Sequence, residues 1–189
     1  VDANLAYNAT TAIRIGRQLA ELDVFWFEEP VNPRDIDGLL QVKAALPMAI
    51  AGGENLRTRF DFRDYLTRRA FDVVQPDVAH CGGLTEMARI AAMASACGTL
   101  VCPHVWGTPI MIAASLHLAA TLPSCPPARN PVPYAQEPVM EFDRTPNAIR
   151  EELCTTTFVA QDSYLDVPTG PGLGIEVDEE SLQHFCKRV

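Results

Sequence analysis

An α/β fold with a parallel sheet, its strands following one another as round a TIM-type (β/α) barrel, is what this sequence predicts, and three features predict it. Short apolar runs alternate with helix-length segments through the first two thirds of the chain, the pattern of βα units on a parallel sheet. The runs are nearly all apolar, as expected of strands covered on both faces. A polar residue also ends one run after another, at intervals close to the length of one βα unit. Such spacing returns each of these residues to the same rim, one strand further round.

The elements follow in order. VDAN, at the start, reads as the end of a strand. Residues 8–22 (NATTAIRIGRQLAEL) put Ala12, Ile13, Ile15, Leu19, Ala20 and Leu22 on one helical stripe. VFWFEEP is a β-rich run closed by Pro30. Residues 32–46 are helical, with Pro33 and Asp35 suited to a first turn. MAIAGGEN is a small-residue strand with a glycine exit. Residues 59–70 are helical and lead into FDVVQPD. Residues 84–97 (LTEMARIAAMASAC) form an apolar helix, TLVCPH the next strand, and residues 109–122 another buried helix. From residue 123 the rhythm loosens. PSCPPARNPVPYAQEP carries too many prolines for a helix or central strand and reads as a long surface excursion. VMEFD reads as one more short strand, FVAQDSYLDVPTGPGLGIEVD as a strand-and-turn tail, and DEESLQHFCKR as a last amphipathic helix.

Composition bounds the function. The chain has 189 residues, enough for a sizeable core and for one domain or most of one. A net charge of -9 argues against nucleic-acid or anionic-membrane partners, and no apolar run is long enough to cross a bilayer. Cys81, Cys97, Cys102, Cys125, Cys154 and Cys186 show no C-x-x-C pair and no zinc spacing. Their usage points to a reduced, cytoplasmic setting.

The chemistry lies at the strand ends. Asp2, Glu28 and Glu54 follow three successive runs and stand 26 residues apart; Asp77 and His104 continue at intervals of 23 and 27. Three carboxylates from adjacent strands make a hard, oxygen-rich site suited to Mg2+ or Mn2+, and no cysteine or histidine in the trio favours zinc. A histidine beside a carboxylate is an oriented proton acceptor with a tunable pKa. Taken singly, each residue has a plainer reading: Asp2 as a cap, Glu28 and Glu29 as a solvated pair, the GG before Glu54 as a turn. Asp77 could likewise cap a turn, and His104 merely follow a proline. Solvated charges have no reason to keep this register, so the set as a whole points to a site.

VDAN, WFEEP, AGGEN, QPDVAHCGG and PHVWGTPI, in that order, resemble the enolase superfamily, specifically its mandelate racemase subgroup. The resemblance runs from residue 1 to about residue 178. It implies the C-terminal part of a (β/α) barrel, strands three to eight. Asp2, Glu28 and Glu54 would match the Mg2+ ligands, Asp77 and His104 the general base dyad, and Glu141 the acid that hydrogen-bonds the substrate carboxylate. The muconate-lactonising and enolase branches place a lysine where this chain has Asp77, which supports the racemase-like branch. The implied reaction is removal of a proton α to a carboxylate. The motif wording is most like acid-sugar dehydratases and sugar-acid lactone cycloisomerases, with a small carboxylate, a sugar acid, as substrate and a homo-oligomer as the full-length form.

Two features of the family have no counterpart here. The family's Lys-x-Lys cannot come from Lys43, on a helix, or from Lys187, at the C-terminus; nor does the sequence contain the N-terminal capping domain. The expectation is therefore the C-terminal portion of a longer enzyme. Residues 1–145 would carry the metal and catalytic residues, and residues 146–189 would pack back on the barrel or on the absent capping domain. The competing expectation is a non-catalytic barrel fragment, inactive without its N-terminal part.

Overall fold

The computed structural model describes residues 1–132 and 136–186. The middle of the expected surface excursion and the last residues of the expected final helix, Lys187 among them, lie outside the described residues.

Four short strands form one parallel sheet in sequential order: β1 (Trp26–Glu28), β2 (Ala49–Gly52), β3 (Val73–Val74) and β4 (Leu100–Val101). Helices stand before, between and after them: α1 (Ala9–Ala20), α2 (Ile36–Ala45), α3 (Thr58–Thr67), α4 (Gly83–Ala96) and α5 (Pro109–Ala119). The register runs Trp26–Ala49, Ala51–Val73 and Val73–Leu100. Isolated parallel bridges extend it at both ends of the order, Asp2 with Glu28 and Asp77 with His104. The expected βα rhythm is thus present, with Asp2 as an attached strand end.

Side chains alternate across a strand, and that alternation sorts this sheet. Phe27, Ile50, Val74 and Val101 share one buried cluster with helix residues such as Ala12, Leu39, Val42, Phe62, Leu66, Met87 and Ile90. Ala51, Val73, Leu100 and Cys102 form a second cluster with Cys125, on the face away from the helices. Continuing that second face by twos leads from Val73 to Gln75 and Asp77, and from Leu100 through Cys102 to His104.

Helices α1, α2 and α5 start where the sequence provides a stop for the preceding chain. Asn8 accepts from Thr11 N at 2.9 Å, Asp35 from Gly38 N at 2.9 Å and Thr108 from Met111 N at 3.3 Å, each a side-chain N-cap. Pro109 then occupies the first helical position, where its missing N–H costs nothing.

The C-terminal third differs from expectation. No strand forms at residues 139–143; that segment's main-chain tie to the sheet is Glu141 N donating to Pro103 O at 3.3 Å. One such bond does not make a ladder. The expected strand-and-turn tail has turns and two isolated bridges, Cys154 with Val177 and Gln161 with Tyr164, but no strand among the described residues. A short helix not foreseen, α6 (Ala148–Glu152), is capped by Asn147, and α7 (Glu179–Cys186) ends the described chain. Phe158, Leu165, Val167 and Leu173 from the tail pack, partly buried, against the main cluster. No helix among the described residues is long and apolar enough to cross a membrane.

Candidate active site

All six residues singled out in the sequence (Asp2, Glu28, Glu54, Asp77, His104 and Glu141) line one cleft of about 860 Å³ at the carboxyl ends of the strands. The common rim arises from register, since bridged residues on parallel strands emerge side by side.

His104 is the hub. Its Nδ1 lies 2.7 Å from Asp77 Oδ2, its Nε2 3.1 Å from Glu54 Oε2 and 4.0 Å from Glu141 Oε2. Asp77 is 2% exposed and uses both oxygens. Oδ2 faces His104, while Oδ1 accepts from Ala79 N at 2.7 Å and His80 N at 3.2 Å. It therefore caps its turn and orients the histidine, so the two readings of this residue coexist. Burial opposes a charge on His104, but the Asp77 hydrogen bond and the charges of Glu141, Glu54 and Asp77 outweigh it and push the ring's pKa up to about 9. At neutral pH the structure thus favours the imidazolium.

The glycines before Glu54 do more than turn the chain. Gly53 has φ +117°, and a Cβ there would stand 3.1 Å from Phe62 Cε1. Both the backbone and the space admit only glycine without strain. Glu29, the second residue of the EEP pair, is not a solvated partner of Glu28: both are buried. Burial, followed by the charge of Glu54, pushes Glu29 up to about 7.

The three expected metal ligands share the cleft without converging. Among the described residues, no three His, Cys, Asp or Glu side chains are gathered closely enough to hold an ion between them. Each carboxylate has another partner: Asp2 Oδ1 accepts from Asn4 N at 2.7 Å, Glu28 Oε2 from Trp26 Nε1 at 3.1 Å, and Glu54 faces His104. Like charges also repel. Burial raises the pKa of Glu28, with Asp2 and Glu54 adding to the rise while Gln75 and Trp26 counter it. A hard oxygen donor set whose carboxylates repel one another fits a divalent cation such as Mg2+.

Glu141 is placed by side-chain bonds. Its Oε1 accepts from Gln75 Nε2 at 2.6 Å and its Oε2 from Val105 N at 3.2 Å. Burial, then the charge of Glu28, raises its pKa to about 7, against lowering by His104, Val105 and Gln75. Gln75 and Trp26 were not foreseen as site residues. The signal for Gln75 is a polar side chain inside an otherwise apolar run, at even spacing from Asp77.

Comparison with known proteins decides the family. The model of the enolase C-terminal domain-like family matches residues 1–181. The chain belongs to the enolase C-terminal domain-like family. Among curated relatives in this superfamily, a D-galactarolactone cycloisomerase from Agrobacterium fabrum is 40% identical over 185 residues, covering 98% of this chain and 48% of the relative. An arabinonate dehydratase from Saccharolobus solfataricus is 32% identical over 188 residues, covering 99% and 47%. The chain therefore spans about half the length of these enolase-superfamily relatives. The solved 3,6-anhydro-D-galactonate cycloisomerase from Zobellia galactanivorans superposes with a TM-score of 0.86 at 37% identity, covering 97% of this chain and 49% of that one.

Proposed function

We propose that this chain supplies the proton-transfer and metal-binding part of an enzyme that removes the proton α to the carboxylate of a sugar acid, in a dehydration or cycloisomerisation. The observation that carries this reading is the His104–Asp77 pair at 2.7 Å, with the other ring nitrogen turned toward Glu54 and Glu141 in the cleft. The names of the relatives, a lactone cycloisomerase and an acid-sugar dehydratase, support the substrate class.

Asp2, Glu28 and Glu54 would hold Mg2+. When bound, the ion would neutralise charge developing on the substrate carboxylate and offset the Glu54 charge facing His104. Asp77 fixes the ring with Nε2 toward the substrate. In its neutral form, Nε2 takes the α proton while the C–H electron pair moves toward the carboxylate. In its charged form, Nε2 instead gives a proton to a departing β-hydroxyl, which leaves as water. Glu141 hydrogen-bonds the substrate carboxylate. With no lysine among these groups, this chain's proton transfers occur on one face of the α carbon.

The test is α-proton exchange in D2O with Mg2+ against a panel of aldonic and aldaric acids, in the full-length enzyme. His104→Asn should slow exchange about 10²–10⁴-fold, the range for a positioned acid or base, with substrate and Mg2+ binding nearly intact. Exchange at the parental rate in that variant would make the pair structural and refute the mechanism.

A further inference from the structure

Gln75 brings a buried amide to Glu141, one of the residues of the cleft. It follows β3 on the face away from the helices, and its exposure is 0%. Its same-face neighbours are apolar or nearly so: Val73 before it, Leu100 and Cys102 on the adjoining strand. A side chain serving only to fill that space would be apolar too. Instead, Nε2 donates to Glu141 Oε1 at 2.6 Å, and Oε1, equally buried, has no hydrogen-bond partner among the described residues. Leaving a buried acceptor unpaired is unfavourable, and turning the amide over would aim that acceptor at a carboxylate. The amide is therefore oriented by the Glu141 carboxylate.

Glu141 depends on such a hold. Its segment is not a strand, and its main-chain attachment to the sheet among the described residues is the bond to Pro103 O. Two donors fix its carboxylate, Val105 N on one oxygen and Gln75 Nε2 on the other. The first is main chain and survives substitution; the second is a side chain that one mutation removes.

We propose that Gln75 is a positioning residue, whose amide sets the Glu141 carboxylate in the cleft. Glu141 would meet the substrate carboxylate, so Gln75 sets where that carboxylate is held. This rests on the site reading above, but the orientation of Glu141 can be checked without any reaction.

The experiment compares Gln75→Met and Gln75→Asn in the full-length protein. Methionine keeps the length and removes the donor; asparagine keeps the amide but draws it back by one methylene. Crystal structures read the position of the Glu141 carboxylate, thermal unfolding reads the fold, and steady-state kinetics with the sugar acid the parent turns over read KM and kcat. The expected result is a Glu141 carboxylate displaced from Val105 N, with an unfolding midpoint near the parent's. KM should rise about 10–100-fold, the usual effect of removing a residue that orients a binding group, with a smaller change in kcat. Combining Gln75→Met with Glu141→Gln should cost less than the two changes added, because both remove one interaction. Should Gln75→Met fail to fold, Gln75→Asn decides. An unmoved Glu141 with parental KM overturns the proposal. A displaced Glu141 in a protein whose parent exchanges no α proton upholds the positioning role and refutes the functional reading instead.

Discussion

Asp77 divides its carboxylate between two tasks, and that division makes its substitution informative. Oδ1 holds the turn through Ala79 N and His80 N, and Oδ2 holds the ring of His104. Asp77→Asn keeps an acceptor for the turn but places an amide against the ring. The ring is then free to reorient and loses a charge that raises its basicity. Exchange should fall about 10–100-fold, and the acid limb of its pH profile should move to lower pH; an unshifted profile would show that Asp77 serves the turn alone. Glu54→Gln tests the other side of the ring. With one anionic donor fewer, Mg2+ binding measured by calorimetry should weaken at least about 10-fold, and an unchanged affinity would remove Glu54 from the donor set. These residues were legible because their spacing repeats the βα unit, so register alone gathered them. Gln75 and Trp26 were not, because what they do depends on which neighbour a side chain meets within a strand run, and spacing does not encode that.

At the level of elements, α3 and α4 are joined by the nearly buried side chain of Glu86. Its Oε1 accepts from Arg59 N at 2.9 Å and Arg59 Nη1 at 2.7 Å, and its Oε2 from Arg89 Nη1 at 3.0 Å. The Arg59 backbone bond, with Arg89 and the Arg59 guanidinium, holds the carboxyl down at about 2 against the opposing effect of burial. The folded pKa is thus below the ordinary 4.5, so the stabilisation is present above about pH 4.5 and is lost as pH falls toward 2. Glu86→Gln should destabilise the protein at pH 7 and progressively less as pH falls through that window. Urea unfolding of both proteins from pH 7 to pH 3 measures it; a gap that does not narrow would show the carboxylate's charge to be idle. Helices α1 to α5 were legible from apolar periodicity and from first-turn residues such as Pro33 and Asp35, with ends within four residues of the sequence boundaries. The strand expected at residues 139–143 was not formed, because alternation in five residues says nothing about whether a partner edge is available. Helix α6 was missed because five residues carry too little periodicity to detect.

For the molecule as a whole, sheet edges and net charge oppose each other. One end of the strand order is held by Val1 and Ala3, bonded to Glu28 at 2.9 and 3.0 Å; at the other end, β4 pairs with β3 and, beyond it, Pro103 O accepts from Glu141 N. A cavity of about 540 Å³ with apolar lining lies between the end of α5 and parts of residues 137–142 and 160–167. Phe25, Phe60 and Trp106 are more than half exposed. Lightly paired edges and exposed apolar surface favour contact between copies, whereas a net charge of -9 keeps copies apart. Which effect wins depends on screening. At about 0.01 M salt the Debye length is ~30 Å, comparable with the domain, so repulsion reaches across an approaching pair; at about 0.15 M it is ~8 Å and acts only near contact. Residues 1–189 alone should therefore self-associate more strongly at 0.15 M than at 0.01 M salt, with sedimentation velocity showing larger species as concentration rises. A monomer at both salt concentrations, unfolding in one cooperative step, would mean that these edges and this cavity are satisfied within the chain itself.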